Sequence, residues 1–217
     1  MDGRTSIATG EPIRLHLGCG ACTPRGWVNV DYAVGARLAR VPVLRRVCRA
    51  IGLFQLDWPA GIVIHDLRKP LPWPTGSAEA VYSSHTLEHL SRREGRRFVA
   101  ECHRVLRPGG VVRVVVPDLR VCVDRYLEGK VDAGDFLATL GVDTEVPGEG
   151  RLRRLLAPHF RFPHRCMYDA ETLPALLREV GFEPEITDPF RSRIPHIGAL
   201  EHPERTTGAV IAEGVKP

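Results

Sequence analysis

The chain reads as an α/β protein, a Rossmann-like, mostly parallel sheet of seven strands flanked by helices. Three observations predict this. Short apolar runs alternate with helical patterns along the 217 residues, as in a parallel sheet covered by helices. The stretch "VVRVVVP" is a near-continuous apolar run, as expected of a strand buried on both faces. The first two apolar runs are joined by a short glycine-containing turn and not by a hairpin.

Taken in order, "IRLHLG" reads as the first strand and "WVNVD" as the second. Residues 34–56 look helical, with a break near Pro42. "GIVIHDL" is the third strand, "PLPWPTGS" a proline-punctuated loop, and "AVYSS" the fourth strand. A helix follows from about Glu88 to Leu106, and "RPGG" ends it because Pro and Gly cannot continue a helix. "VVRVVVP" is the fifth strand. After it the rhythm changes: residues 119–168 hold a helical piece, "RVCVDRYLEG", the loop "GVDTEVPGEG" and the aromatic- and histidine-rich "RLLAPHFRFPHRCMYD". So long an irregular region in a domain of this size points to a functional role. "DAETLPALLREVGF" resumes as a helix capped by Asp169 and stopped by Gly181. "EPEITDP" and "TTGAVIAEGV" supply the last two strands. The reading is one domain over 1–217, with a substrate-covering insertion at about 119–168.

An apolar content of 43% and a charged content of 26% are those of a soluble globular protein. No apolar stretch reaches the ~18–20 residues of a membrane span, and the N-terminus lacks a signal-peptide core. A cytoplasmic location without membrane association is therefore expected. The net charge is +4, and the arginine runs "ARLARVPVLRRVCRA" and "RLRRLL" fit solvated helix faces better than a nucleic-acid site. Of six cysteines, Cys19 and Cys22 form a C-x-x-C. No second pair completes a zinc site, and Pro24 and Gly26 follow in a loop where a redox motif would open a helix. Reduced thiols are expected.

In an open parallel sheet, ligands sit beyond the carboxyl ends of the strands. Gly18 and Gly20 remove side chains where a ligand approaches the backbone. Asp31, at the tip of the second strand, is placed to accept from a ribose diol. Asp66, at the tip of the third, can accept from the exocyclic amine of a base, with Leu67 beside it. The dinucleotide fingerprint requires a third glycine and an acid about twenty residues on. Here position 23 is Thr and Asp31 follows Gly20 by eleven residues. That spacing leaves little room for a pyrophosphate-binding helix and favours a nucleoside cofactor without phosphates.

The stretches "LHLGCG", "VNVD", "IHDLRKPLPWPTGSAEAVYSSHTLEHL" and "ECHRVLRPGGVVRVVVPDL" resemble the class I S-adenosylmethionine-dependent methyltransferases, in particular the small type-11 group. The resemblance covers roughly residues 13–119. "MYDAETLPALLREVGFEP" extends it to a form familiar in bacterial glycan and natural-product pathways. It implies the class I fold with an antiparallel last strand, and S-adenosylmethionine as cofactor with S-adenosylhomocysteine as product. It also implies roles at matched positions. Leu17, Gly18, Cys19 and Gly20 would line the methionine and ribose moieties. Asp31, with Tyr32 beside it, would bind the ribose hydroxyls, and Asp66 and Leu67, with His65, the adenine. Ser83 and Ser84 would face the methionine end. The usual first helix is shortened here to "ACTPRGW".

Methyl transfer to a hydroxyl requires a proton acceptor, and imidazole suits that task. His85, directly after the fourth strand tip, is a candidate base or a structural residue. His89 reads as helix packing. His159 and His164 lie in the insertion and read as substrate contacts or as loop polar residues. Asp118, at the fifth strand tip, is a further candidate base. Tyr126, Arg161 and Arg165 are candidates for gripping an acceptor or for plain exposure. "HTLEH" also matches an inverted zinc-protease motif, H-x-x-E-H, but it follows a strand tip in an alternating α/β chain and no third acidic ligand is indicated, so no metal is expected. Two other rivals are a nucleotide-binding oxidoreductase using NAD and a catalytically inactive partner subunit that keeps the fold.

No Asp/Asn-Pro-Pro-aromatic stretch follows the fourth strand, where "YSSH" stands, so amino methylation of adenine or glutamine lacks its usual signature. The modest charge weighs against nucleic acid. Oxygen methylation of a sugar or other small molecule is the expectation carried by the resemblance. Oligomeric state is left open, a dimer being one option.

Overall fold

The computed structural model describes residues 13–41, 46, 58, 59, 61–142 and 163–217. Seven strands form one sheet: β1 (Ile13–Leu17), β2 (Val28–Asp31), β3 (Val63–Ile64), β4 (Ala78–Ser84), β5 (Leu106–Pro117), β6 (Glu183–Ile186) and β7 (Ala209–Val215). Their order is β3-β2-β1-β4-β5-β7-β6. All neighbouring pairs from β3 to β5 are parallel. β7 runs antiparallel to both β5 and β6, as the resemblance implied for the last strand.

The helices are α1 (Val34–Ala39), α2 (Arg92–Val105), α3 (Leu119–Leu127), α4 (Ala133–Thr139), α5 (Thr172–Val180) and α6 (Pro203–Thr206). α2 begins later than expected, because Leu87–His89 forms a separate 3₁₀ turn. A capping box then opens the helix: the Ser91 hydroxyl accepts from the Glu94 N–H, while Glu94 accepts from the Ser91 N–H. β5 starts earlier than expected and takes in "RPGG", since the Gly109 N–H and the Gly110 carbonyl both pair with Lys216. β3 keeps only two of the seven residues of "GIVIHDL". α4 and α6 carried no distinct signal in the sequence. Asp169 does steady the start of α5, its carboxylate accepting from the Glu171 and Thr172 N–H groups at 3.1 and 2.8 Å. Gly181 ends that helix at φ 110°, a conformation glycine adopts without cost. The remainder of the 34–56 helix beyond α1 and Arg46, the loop 143–150 and the stretch 151–162 with His159 and Arg161 lie outside the described residues.

The two faces of the sheet are covered differently. On one, Phe98, Val99 and Cys102 of α2 and Leu173 and Leu177 of α5 pack on Leu15, Val81 and Val114. Each of these side chains is at most 1% exposed, so this face supplies most of the hydrophobic stabilisation. On the other, Tyr82, Val115 and Ile211 meet Ile194, Ile197 and Leu200 of the irregular segment before α6. Among the described residues, no helix is long and apolar enough to cross a membrane.

Candidate active site at the strand tips

The sheet order reverses direction between β1 and β4, and a crevice opens there at the carboxyl ends of the strands. β1 leaves the sheet through Gly18, at φ 76°. A Cβ at this position would collide with Thr86, so glycine is required by both angle and space. The Gly18 and Cys19 N–H groups donate to the Val30 carbonyl at 2.9 and 3.0 Å, which draws the turn onto the end of β2. There the Gly20 N–H donates to Asp31 Oδ2 at 2.8 Å and the Ala33 N–H to Oδ1 at 2.6 Å. The carboxylate is held in place by backbone donors, and each oxygen keeps acceptor capacity for a ligand.

Asp66 is held differently. Arg68 donates from Nε to Oδ1 and from Nη2 to Oδ2, both at 2.8 Å, and its backbone N–H adds a third bond to Oδ1 at 3.0 Å. These bonds to Arg68 hold the Asp66 carboxyl below its usual titration range. The sequence offered no reason to expect this clamp.

These tips enclose a cavity of about 530 Å³. Gly18, Gly20, Asp31 and Tyr32 line one side; Asp66, Leu67 and Arg68 line another. His85, Thr86 and His89 close the β4 end, with Arg165 and Arg205 at the rim. The Arg37 guanidinium stands 4.9 Å over the Tyr32 ring, a cation–π arrangement. Thr86, Arg68 and Arg205 were missed by sequence reasoning. Arg205 sits on a four-residue helix far along the chain, and no local motif marks it.

A second cavity, about 300 Å³, adjoins the first. Its walls include Pro117, Cys122, Arg125, Phe136 and His164, and His85 lines both cavities. His85 is the residue on which the two spaces meet. It adopts φ 50°, a sparsely populated conformation for a residue with a side chain. Its Nε2 lies 2.8 Å from the Arg205 carbonyl, which can only accept, so that nitrogen carries a hydrogen. Its Nδ1 lies 3.3 Å from Glu88 Oε1. Glu88 is 0% exposed and neither carboxylate oxygen has a hydrogen-bond partner among the described residues. His89 Nδ1 faces the Pro163 carbonyl at 3.4 Å, and its ring lies 5.1 Å from that of His164. Burial lowers the His164 pKa from its ordinary value, and its Nδ1 is buried without a partner among the described residues.

Several residues expected at the site do not line either cavity. Leu17, Cys19, Ser83 and Ser84 are buried in the sheet ends. Burial, followed by the nearby Asp31 charge, pushes the Cys19 thiol up to about 12, so it is a packing group. Among the described residues the Ser83 hydroxyl has no partner, and Ser84 lies toward the Tyr82 phenol without reaching hydrogen-bond geometry. His65 donates its backbone N–H to the Asp31 carbonyl at 3.2 Å, so it contributes to the register of the β2 and β3 tips. Asp118 is a helix cap: its Oδ1 accepts from the Arg120 N–H at 2.8 Å. It lines neither cavity, and a role as base is not carried further.

Residues 15–114 match the family described as "Methyltransferase domain". A probable S-adenosylmethionine-dependent methyltransferase of Mycolicibacterium smegmatis is 39% identical over 61 residues, 28% of this chain and 23% of that protein. An uncharacterized methyltransferase of Synechocystis sp. is 27% identical over 110 residues, 51% of this chain and 49% of that one. The matched stretches thus span about a quarter and about half of these relatives. Among solved structures, the YcgJ protein of Bacillus subtilis superposes with a TM-score of 0.49 at 14% identity, covering 99% of this chain and 95% of that one. The matched stretch runs from β1 through the Gly18 turn and the β4 tip into β5, the part of the sheet that builds the crevice, so the chain is similar to methyltransferase domains over that stretch.

Proposed function

We propose that the chain transfers the methyl group of S-adenosylmethionine to a hydroxyl of a sugar or other small molecule in the cytoplasm. The observation that carries this reading is the placement of His85 between two cavities, one suited to the cofactor and one to an acceptor.

The residues present fit the cofactor. The Asp31 carboxylate, already oriented by two backbone N–H groups, suits a ribose diol. The bare backbone at Gly18 and Gly20 allows close approach. Asp66 and Leu67 stand where an adenine edge would lie, and the Arg68 clamp keeps Asp66 an acceptor. A cavity of about 530 Å³ lies within the range of ligand pockets. When bound, the cofactor supplies an electrophilic sulfonium methyl.

The chain's own residues do the remaining work. The cavity walls would orient the acceptor hydroxyl, and positioning of this kind supplies much of the rate of a transfer reaction. The bound cofactor would give up its methyl and keep the C–S electron pair on leaving as S-adenosylhomocysteine, and the acceptor hydroxyl would lose its proton. That proton would pass to the cluster around buried Glu88, in which the partly buried His85, His89 and His164 face the cavities. A space of about 300 Å³ admits one sugar ring or a comparable metabolite, which favours a small acceptor over nucleic acid.

Calorimetric titration tests the first half: binding of S-adenosylhomocysteine without binding of NAD is expected, and the reverse pattern would support an oxidoreductase. Incubation with cofactor and polarity-fractionated metabolite pools tests the second. Formation of S-adenosylhomocysteine with a methyl ether product is expected. Methylation confined to amines or carbon would overturn the oxygen assignment, and cofactor binding without turnover on any pool would support a catalytically inactive partner.

A further inference from the structure

The geometry points to a divalent transition-metal site formed by Glu88, His89 and His164, of the class that takes Zn²⁺, at the wall between the two cavities. The ligating atoms of these three side chains all lie within 4.8 Å of one another. A tetrahedral zinc ion needs donors ~3.3 Å apart, given metal–ligand bonds of about 2.0–2.1 Å. Modest rotations of His89 and His164, both only partly buried, close that gap.

Four observations carry the assignment. First, Glu88 is 0% exposed and both its carboxylate oxygens lack hydrogen-bond partners among the described residues. An ionised carboxylate so placed costs several kcal/mol unless a cation offsets it. Second, the two segments that meet here are tied by backbone: the Glu88 carbonyl accepts from the Arg165 N–H at 2.7 Å and from the Cys166 N–H at 3.1 Å. Those bonds hold His164 beside the Glu88 turn although the residues are far apart in sequence. Third, His89, one of the three ligands, has its Nδ1 3.4 Å from the Pro163 carbonyl. This is how proteins set the tautomer of a metal-binding imidazole and direct its other lone pair to the ion. Fourth, His164 Nδ1 is buried without a partner among the described residues.

Two imidazoles and one carboxylate suit zinc, iron or cobalt and not magnesium or calcium. The arrangement differs from the H-x-x-E-H reading of the sequence. His85 and His89 do not chelate as an i, i+4 pair; His164, from the insertion, takes the second imidazole position, and His85 stands alongside with Nδ1 3.3 Å from Glu88 Oε1. Three protein ligands leave a position open, as in catalytic zinc sites. Its opening would face the acceptor cavity through His164. Metal binding is independent of the methyl-transfer reading; only use of the ion to acidify an acceptor hydroxyl rests on it.

The test uses the full chain, stripped with a chelator and titrated with Co²⁺ while visible absorption is followed. One equivalent is expected to produce the d–d band of a low-coordinate nitrogen/oxygen site, and Zn²⁺ is expected to displace it. Glu88→Gln and His164→Ala should each weaken Co²⁺ binding at least tenfold, while His103→Ala, outside the cluster, leaves it unchanged. Should Glu88→Gln fail to fold, His164→Ala with a native circular dichroism spectrum decides. A missing band, or one indifferent to His164→Ala, overturns the site and leaves the His85 ring, 3.3 Å away, as the neighbour of Glu88. Titration of the same protein with S-adenosylhomocysteine separates the two ideas: heat without a cobalt band removes the metal only, and a band without heat removes the cofactor reading only.

Discussion

The backbone N–H of Gly20 donates to Oδ2 of Asp31 at 2.8 Å, joining the turn after β1 to the tip of β2. With the Ala33 N–H on Oδ1 at 2.6 Å, this leaves the carboxylate little freedom to lose when a diol binds. Replacing Asp31 with Ala removes charge-assisted hydrogen bonds worth ~1.5–3 kcal/mol. Affinity for S-adenosylhomocysteine should fall by between about tenfold and a hundredfold, read by calorimetry. Near-normal affinity would remove Asp31 from the ribose site.

Gly18 and Gly26 offer a paired test of the turn. Both have positive φ, 76° and 81°, but a Cβ on Gly26 meets nothing within 4 Å while one on Gly18 collides with Thr86. Gly26→Ala should therefore cost only the conformational term, about 1–2 kcal/mol. Gly18→Ala should cost more and also weaken cofactor binding. Equal losses in denaturant midpoints would refute the steric account.

Arg113 is the largest fully buried side chain, and it stands on β5 with both neighbouring carboxylates buried as well. It donates to Glu201 at 2.6 Å, to Glu213 at 3.1 Å and to the Arg191 and Asp188 carbonyls at 2.8 and 3.1 Å. These bonds tie the irregular segment before α6 to the sheet. Arg113→Met would leave the buried Glu201 and Glu213 carboxylates without their guanidinium partner, at a cost of about 3–5 kcal/mol in urea unfolding. A loss below 1 kcal/mol would show that the segment is held by its apolar contacts alone.

His16 is buried beside Asn29, with ring nitrogen and amide oxygen 3.3 Å apart. Desolvation lowers its pKa from 6.5 to about 4, against the opposing hydrogen bond that the ring donates to the Asn29 amide oxygen. The unfolded chain takes up a proton below 6.5 that the folded protein refuses until about 4, so stability falls as pH drops through that window. The full effect is about 3 kcal/mol at most. Denaturant midpoints at pH 7.5, 5.5 and 4.5 should show the decline. His16→Gln should flatten it in part, because His103 and His164 are shifted in the same direction. An unchanged slope in His16→Gln would place the dependence elsewhere.

His164→Ala should keep S-adenosylhomocysteine affinity and lower turnover ~10²-fold, the usual scale for a lost proton-transfer group. Loss of affinity with unchanged turnover would move His164 out of the acceptor side and into the cofactor site.

The parts of the site that follow local rules were legible before any coordinates. A glycine turn after an apolar run, and acids at the ends of β2 and β3, follow from strand alternation and from where parallel sheets expose their ends. Gly18, Gly20, Asp31, Asp66 and His85 all reach the cavity as expected. Asp118 misled because a strand-tip acid and a helix cap look alike in sequence; its Oδ1 serves the Arg120 N–H. Ser83 and Ser84 end β4 with both side chains buried, and neither lines the cavity.

Sequence alone determined the α/β alternation, the order of strands and helices around the first half of the sheet, and the kind of cofactor, since each depends on residues close together in the chain. Only the tertiary structure decided that Arg68 clamps Asp66, that Arg205 comes to the cofactor rim, and that His164 meets Glu88. The physical reason is that the last two contacts join segments more than seventy residues apart, through backbone carbonyls and side-chain directions that no periodicity encodes, and the clamp on Asp66 depends on a rotamer chosen by its surroundings.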